Sequence, residues 1–210
     1  MNTTIYQNIA TRTAGDIYIG VVGPVRTGKS TFIKRFMETL VIPNIENVYR
    51  RERARDELPQ SGSGRTIMTA EPKFVPEEAA QIQLPDGASF SVRLIDCVGY
   101  MIDGAAGHME EDAERMVKTP WSEEEIPFTQ AAEIGTDKVM RDHSTIGLVI
   151  TTDGSIGELP RSNYLGAEEK TILALKKSGK PFLVLVNSQK PYSEETSCLL
   201  YTSDAADDLI

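Results

Sequence analysis

The chain is poor in the residues that define several large classes of protein. Its 210 residues hold only 2 cysteines, Cys97 and Cys198, and 2 histidines, His108 and His143. Two distant thiols make neither a disulfide framework nor a zinc site, and a reducing cytosol suits them. The histidines lack the spacing of metal ligands. Positive charge is also short: 22 Lys and Arg stand against 31 Asp and Glu, a net charge of −9. A broad nucleic-acid footprint is therefore not expected, although a phosphate group can still be held locally. The longest apolar runs, around Leu148–Ile150 and Phe182–Val186, are strand-sized and far below a membrane span. Met1–Asp16 contains no apolar stretch of the kind a secretory signal needs. Glycine and proline, 16 and 11 residues, are near their average share, which removes collagen-like and low-complexity readings. With 40% hydrophobic residues the chain can bury a core. The expectation is an acidic globular protein of the cytoplasm.

One motif dominates what is there. Gly23-Pro24-Val25-Arg26-Thr27-Gly28-Lys29-Ser30-Thr31 fits G-x-x-x-x-G-K-[ST]. It is preceded by the apolar run Ile17–Val22, which reads as a buried strand. It is followed by Phe32, Ile33, Phe36, Met37 and Leu40, spaced for one face of a helix that Pro43 limits. Strand, loop and helix are the context such a loop requires: successive backbone N–H groups form an anion nest, and the helix N-terminus adds its positive end. Lys29 can reach the β- and γ-phosphates, and the Ser30 hydroxyl can ligate Mg²⁺. Gly23, Arg26, Thr27, Gly28, Lys29, Ser30 and Thr31, together with Gly99 and Asn187 further along the chain, are the candidate nucleotide-binding residues.

Further elements follow the same alternation. Gln81–Leu84 and Phe90–Leu94 alternate about the turn Pro85-Asp86-Gly87, predicting a hairpin whose second strand ends at Asp96. Ile146–Thr152 and Phe182–Asn187 read as strands, and Gly166–Ser178 as a helix stopped by Gly179. This is the pattern of an α/β P-loop NTPase domain with a mainly parallel sheet and one antiparallel hairpin strand. Residues 97–145 show little periodicity. Eight acids between Asp103 and Glu125, against Arg115 and Lys118, predict a long acidic, solvated and mobile insertion, anchored by Trp121 and Phe128. Four arginines in Tyr49–Arg55 predict an exposed helix with internal ion pairs; a phosphate-clamping lid and an intersubunit contact are the other readings. Residues 1–197 form the expected domain, short of the last strand and helix such a fold carries. Residues 198–210 read as a foreign or disordered tail.

Asp96-Cys97-Val98-Gly99 stands at a strand end, where a carboxylate holds the outer shell of the metal and Gly99 offers its N–H to the γ-phosphate. A nucleotide switch also needs a hydroxyl that swings in toward Mg²⁺, and Thr69 and Thr66 are the candidates. Switch GTPases read guanine with Asn-Lys-x-Asp; here the strand ends in Asn187-Ser188-Gln189-Lys190. Lysine cannot accept the two protons that guanine donates, whereas adenine loses nothing, so ATP is favoured over GTP. Tyr100, after Gly99, cannot orient water as a glutamine does. Arg26 reads either as a cis arginine opposing γ-phosphate charge or as a structural arginine. Cys97 reads as a buried filler, and Asp153 and Asn163 receive no role.

Seven stretches resemble the stage IV sporulation protein A family: GDIYIGVVGPVRTGKSTFIKRFME, ARDELPQSGSGRTIMTAEPKF, VRLIDCVGY, TPWSEEEIPF, AAEIGTDKV, HSTIGLVITTDGSIG and GKPFLVLVNSQKPY. They lie within residues 12–196, from Gly15 to Tyr192. The resemblance implies a P-loop domain related to translation-factor-type GTPases that has switched to ATP. It implies an Mg²⁺-dependent ATPase that drives self-assembly of the spore-coat basement layer, in the mother-cell cytoplasm at the outer surface of the forespore. A small amphipathic membrane-anchoring protein of stage V sporulation and other coat proteins are the implied partners, with the membrane reached through that anchor. The metal-side aspartate maps onto Asp96 and the sensor threonines onto Thr69 and the next position, which is Ala70 here. The expected site is thus Lys29, Thr69, Asp96 and Arg26 for catalysis, and Ser30, Thr69 and Asp96 for metal. Rival readings are a ribosome-assembly-type GTPase, a small-molecule kinase and a nucleotide-binding scaffold without turnover.

Overall fold

The computed structural model describes residues 16–59, 70–83, 89–105, 109–110 and 113–203. Its centre is a five-stranded sheet. Strands β1 (Asp16–Val22), β2 (Lys73–Gln83) and β3 (Ser89–Asp96) are joined there by β8 (Ile146–Thr152) and β9 (Phe182–Asn187). The order is β2-β3-β1-β8-β9; β2 is antiparallel to β3 and every other pair is parallel. The mixed α/β class with a mainly parallel sheet is therefore as the sequence predicts. The hairpin is longer than expected, because β2 starts at Lys73 and its register shifts between Val75 and Ala80. The irregular stretch contains Pro76, which has no N–H to give a ladder, on an edge strand where proline is tolerated. The turn Pro85–Gly87 lies outside the described residues.

Adjacent residues on each strand point to opposite faces, and this sorts the core into two layers. Val21, Leu94, Leu148 and Ile150 pack with Ile33 and Met37 on one side. Val22, Ile95 and Val149 pack with Val139, Met140, Tyr164 and Leu175 on the other. The first side is covered by α1 (Lys29–Phe36), the second by the π-turn Val139–His143 that continues α3 (Phe128–Lys138), and by α4 (Leu165–Ser178). The expected apolar face of α1 is corrected at its end. Leu40 is 52% exposed, because the helix widens to a π-turn over Met37–Val41 and brings Val41 to the core instead.

The basic segment forms α2 (Val48–Asp56), capped by Asn47. Its ion pairs are those of an exposed helix: Arg55 with Glu52, and Arg53 with Glu57 and with Glu77 and Glu78 of β2.

The acidic stretch differs from the predicted loop. It contains the paired strands β4 (Met109–Glu110) and β5 (Ala113–Glu114), then β6 (Met116–Thr119) paired with β7 (Ser122–Pro127). The chain then enters α3, which the sequence reading missed. Phe128 at its start is fully buried, as an anchor should be. The last helix, α5, covers Glu194–Ser203. Among the described residues no helix is long and apolar enough to cross a membrane.

Candidate functional site

The carboxyl ends of β1 and β3 bring the motif residues together, at the edge of the sheet where ligands of open α/β folds collect. Gly23–Gly28 links β1 to α1 as the motif requires. Lys29 opens the helix, is 5% exposed, and its ammonium donates to the carbonyls of Pro24 (2.6 Å) and Gly23 (3.3 Å). It thus folds back over the loop it belongs to. Burial lowers its pKa, and the charges of Cys97 and Asp96 oppose that fall. Thr27 is fully buried and donates to the Pro24 carbonyl, so its role is to brace the turn. Thr31 is exposed on the first turn of α1.

Asp96 ends β3 and meets Ser30 directly: the Ser30 hydroxyl donates to Oδ2 at 2.7 Å. Its other oxygen, Oδ1, is buried without a hydrogen-bond partner. Burial pushes the carboxyl upward, against the Ser30 hydrogen bond and the Lys29 charge. An orphaned buried acceptor beside a hydroxyl is a fit for Mg²⁺, a hard cation that takes a few protein oxygens and keeps its waters. Ser30 would hold it directly and Asp96 through water. Thr66 and Thr69 lie outside the described residues; the neighbouring Ala70 is buried against α3, where a Cβ on Gly135 would lie 2.9 Å from its carbonyl oxygen.

Gly99 closes the site from the β3 side. Its φ is +92°, and a Cβ built on it would lie 2.0 Å from the Gly23 carbonyl oxygen and 2.8 Å from the Lys29 ammonium. The Asp96–Gly99 turn and the phosphate-type loop are thus in backbone contact. Cys97 between them is buried, and burial lifts its thiol to about 11, consistent with a filler. Asn187 at the end of β9 donates its amide to the Thr27 carbonyl at 3.1 Å, and Lys190, in the place of the guanine-reading carboxylate, is exposed. Arg26 is exposed with a φ of +63°, and its charge reaches Tyr164.

Other singled-out residues do not join this cluster. His143 stacks edge-on against Phe74, with ring centroids 5.6 Å apart, and His108 lies outside the described residues. No group of three or more His, Cys, Asp or Glu forms a metal cluster among the described residues. Asp153 accepts from Ser155, and Asn163 donates to the Asp103 carbonyl.

One network escaped the sequence reading. Glu168, on the first turn of α4, is 4% exposed and receives both guanidinium nitrogens of Arg161, together with the hydroxyl of Thr151. Arg161 also donates to the Thr152 carbonyl at 3.1 Å. The pair ties the loop after β8 to α4. Arg161→Ala strands a buried carboxylate and is expected to lower unfolding free energy by about 3 kcal/mol in urea titrations. A loss below about 1 kcal/mol would show that the pair carries no such weight.

The family described as Stage IV sporulation protein A, ATPase domain, matches residues 1–206. The chain belongs to that family. It is 60% identical over 195 residues to Stage IV sporulation protein A of Bacillus anthracis, and 59% identical over 199 residues to that of Clostridioides difficile (strain 630). The protein of the same name in Bacillus subtilis (strain 168) is 59% identical over 195 residues. These matches take in 93 to 95% of the chain but 40% of each stage IV sporulation protein A, so the chain spans less than half the length of these relatives.

Proposed function

We propose that the chain is the nucleotide-hydrolysing unit of a sporulation ATPase, a P-loop domain that cleaves the terminal phosphate of ATP in an Mg²⁺-dependent reaction. The observation that carries this reading is the meeting of a buried ammonium, a hydroxyl–carboxylate pair and a backbone turn at one point: Lys29, Ser30 with Asp96, and Gly99. In phosphoryl transfer the protein's work is chiefly positioning and charge stabilisation. The ammonium of Lys29 would leave the loop carbonyls for the β- and γ-phosphate oxygens. The N–H groups of Arg26–Thr31 would line the polyphosphate, and the N–H of Gly99 would face the γ-phosphate. Mg²⁺, when bound, neutralises charge on the β- and γ-oxygens. Ser30 and Asp96 would hold it, with Thr69 as the third oxygen. Arg26 is assigned to the γ-phosphate charge as a cis arginine, and the attacking group is water.

Lys190 in place of a carboxylate supports ATP over GTP, and the family description of an ATPase domain agrees. The sporulation name supports the wider role. There, turnover drives self-assembly of the full-length protein into the spore-coat basement layer, in the mother-cell cytoplasm at the forespore surface. The partners are other copies of itself, coat proteins and a small amphipathic membrane-anchoring stage V sporulation protein. Nucleic acid is not among them. The test is phosphate release from ATP and GTP side by side, with Mg²⁺ or with EDTA. ATP is expected to be cleaved at least about tenfold faster than GTP, and EDTA to abolish release. Faster GTP cleavage would overturn the base assignment. Phosphate appearing only on an added acceptor would identify a kinase, and binding without release a scaffold.

A further inference from the structure

Tyr100 follows the Asp96–Gly99 turn, at the position where a water-orienting glutamine would stand. The structure gives it a different task. The residue is 3% exposed, and its hydroxyl donates to Oδ1 of Asp137 on α3 at 2.5 Å. On α4, the ammonium of Lys170 lies 4.6 Å from the ring centroid, and Lys170 is ion-paired to Glu133 of α3 at 2.6 Å. The side chain is therefore gripped by two helices. Its backbone serves a third element: the Tyr100 carbonyl accepts from the N–H of Val25 at 3.0 Å, and Pro24 and Tyr100 form an isolated parallel bridge.

The turn is held at a second place by β1, since the Cys97 thiol donates to the Val21 carbonyl at 3.5 Å. Gly99 lies between these two supports, with its backbone pressed against the Gly23 carbonyl and the Lys29 ammonium. Burial, then the bond to Asp137, pushes the phenol upward, so the group stays protonated and remains a donor. A hydrogen bond from a hydroxyl to a carboxylate is among the stronger kinds, and orientation is what such bonds add.

We infer that Tyr100 and Asp137 are positioning residues for the terminal phosphate: by anchoring the turn to α3 they hold the Gly99 N–H at the mouth of the phosphate cradle. The inference rests on the reading of that cradle as an ATP site. It separates two contributions: the loop holds the phosphates that ADP and ATP share and Lys29 reaches both the β- and γ-phosphates, whereas the Gly99 turn meets only the γ-phosphate.

The experiment is calorimetric titration of the 210-residue chain with ADP and with a non-hydrolysable ATP analogue, both with Mg²⁺, accompanied by thermal melts. Tyr100→Phe keeps the ring and the backbone and removes only the hydroxyl; Asp137→Asn weakens the same bond from the other side. Each is expected to weaken the ATP analogue about tenfold while leaving ADP within about twofold. The double variant should be no worse than either single one. Equal losses for both nucleotides, or no loss in a folded variant, would overturn the inference. Should Tyr100→Phe fail to fold, Asp137→Asn carries the comparison, and unfolding of both would show the pair to be purely structural. A wild-type chain that binds neither nucleotide would instead overturn the ATP site itself.

Discussion

Lys29→Met is expected to stop ATP turnover while leaving the chain at least as stable as before. The ammonium is buried, donates to the Gly23 and Pro24 carbonyls, and lies close enough to Asp96 for the two charges to act on each other. Loss of a preorganised charge at a phosphoryl-transfer site typically removes a factor of about 10² to 10³ from turnover. Stability should move the other way, because a buried ammonium is costly and methionine fills a similar volume without charge. The pH dependence isolates this. Burial sets the folded-state pKa of Lys29 below the ordinary 10.5, so between those two values the unfolded chain binds more protons than the folded one. Stability attributable to Lys29 therefore rises as pH climbs through that window. Urea titrations in nucleotide-free, metal-free buffer from neutral pH toward 10 should show that slope in the wild type and a flatter one in Lys29→Met. Turnover retained by the variant, or identical slopes, would contradict this account of the lysine.

The legible and illegible parts of the molecule differ for physical reasons. The phosphate-type loop was readable because its chemistry demands particular residues at fixed spacing, flanked by a strand and a helix with opposite periodicities. Lys29, Ser30, Asp96 and Gly99 accordingly lie together, although 66 residues separate Ser30 from Asp96. Helix α3 was invisible for the converse reason. After Phe128 its buried face is Ala131, Ala132, Gly135, Thr136 and, beyond its end, Val139 and Met140. Small residues give a weak hydrophobic signal, yet here they permit close packing, with Gly135 against Ala70 and Pro72. The partner of a buried charge was equally hidden. Glu168 reads as an ordinary first-turn acid, and only the folded chain brings Arg161 to it. Asn187 was read as a remnant of a base-reading motif. What the motif does not announce is that its amide also spans from β9 to the Thr27 carbonyl of the loop. The π-turn at Met37–Val41 shifted the buried face from Leu40 to Val41, a local change that no 3.6-residue template anticipates.

Gly99→Ala is expected to be the most damaging single-methyl change in the site, and a comparison with Gly28→Ala shows why. Both glycines have positive φ, +93° at Gly28 and +92° at Gly99, so alanine pays a similar backbone penalty of about 1 to 2 kcal/mol at each. The space around them differs. A Cβ at Gly28 would meet the Asn187 amide nitrogen at 2.5 Å, the far end of a side chain that can rotate away. A Cβ at Gly99 would meet the Gly23 carbonyl oxygen at 2.0 Å, and that oxygen belongs to the backbone of the phosphate-type loop. Relief there requires the turn and the loop to part, carrying the Gly99 N–H away from Lys29. Gly28→Ala should therefore lower the melting temperature by several degrees and reduce turnover modestly. Gly99→Ala should show a comparable melting shift together with a loss of turnover of about a hundredfold or more. The discriminating measurement is the ratio of activity lost to stability lost in the two variants. Equal ratios would mean that backbone strain alone is at work, and that contact between the turn and the loop has no part in the chemistry.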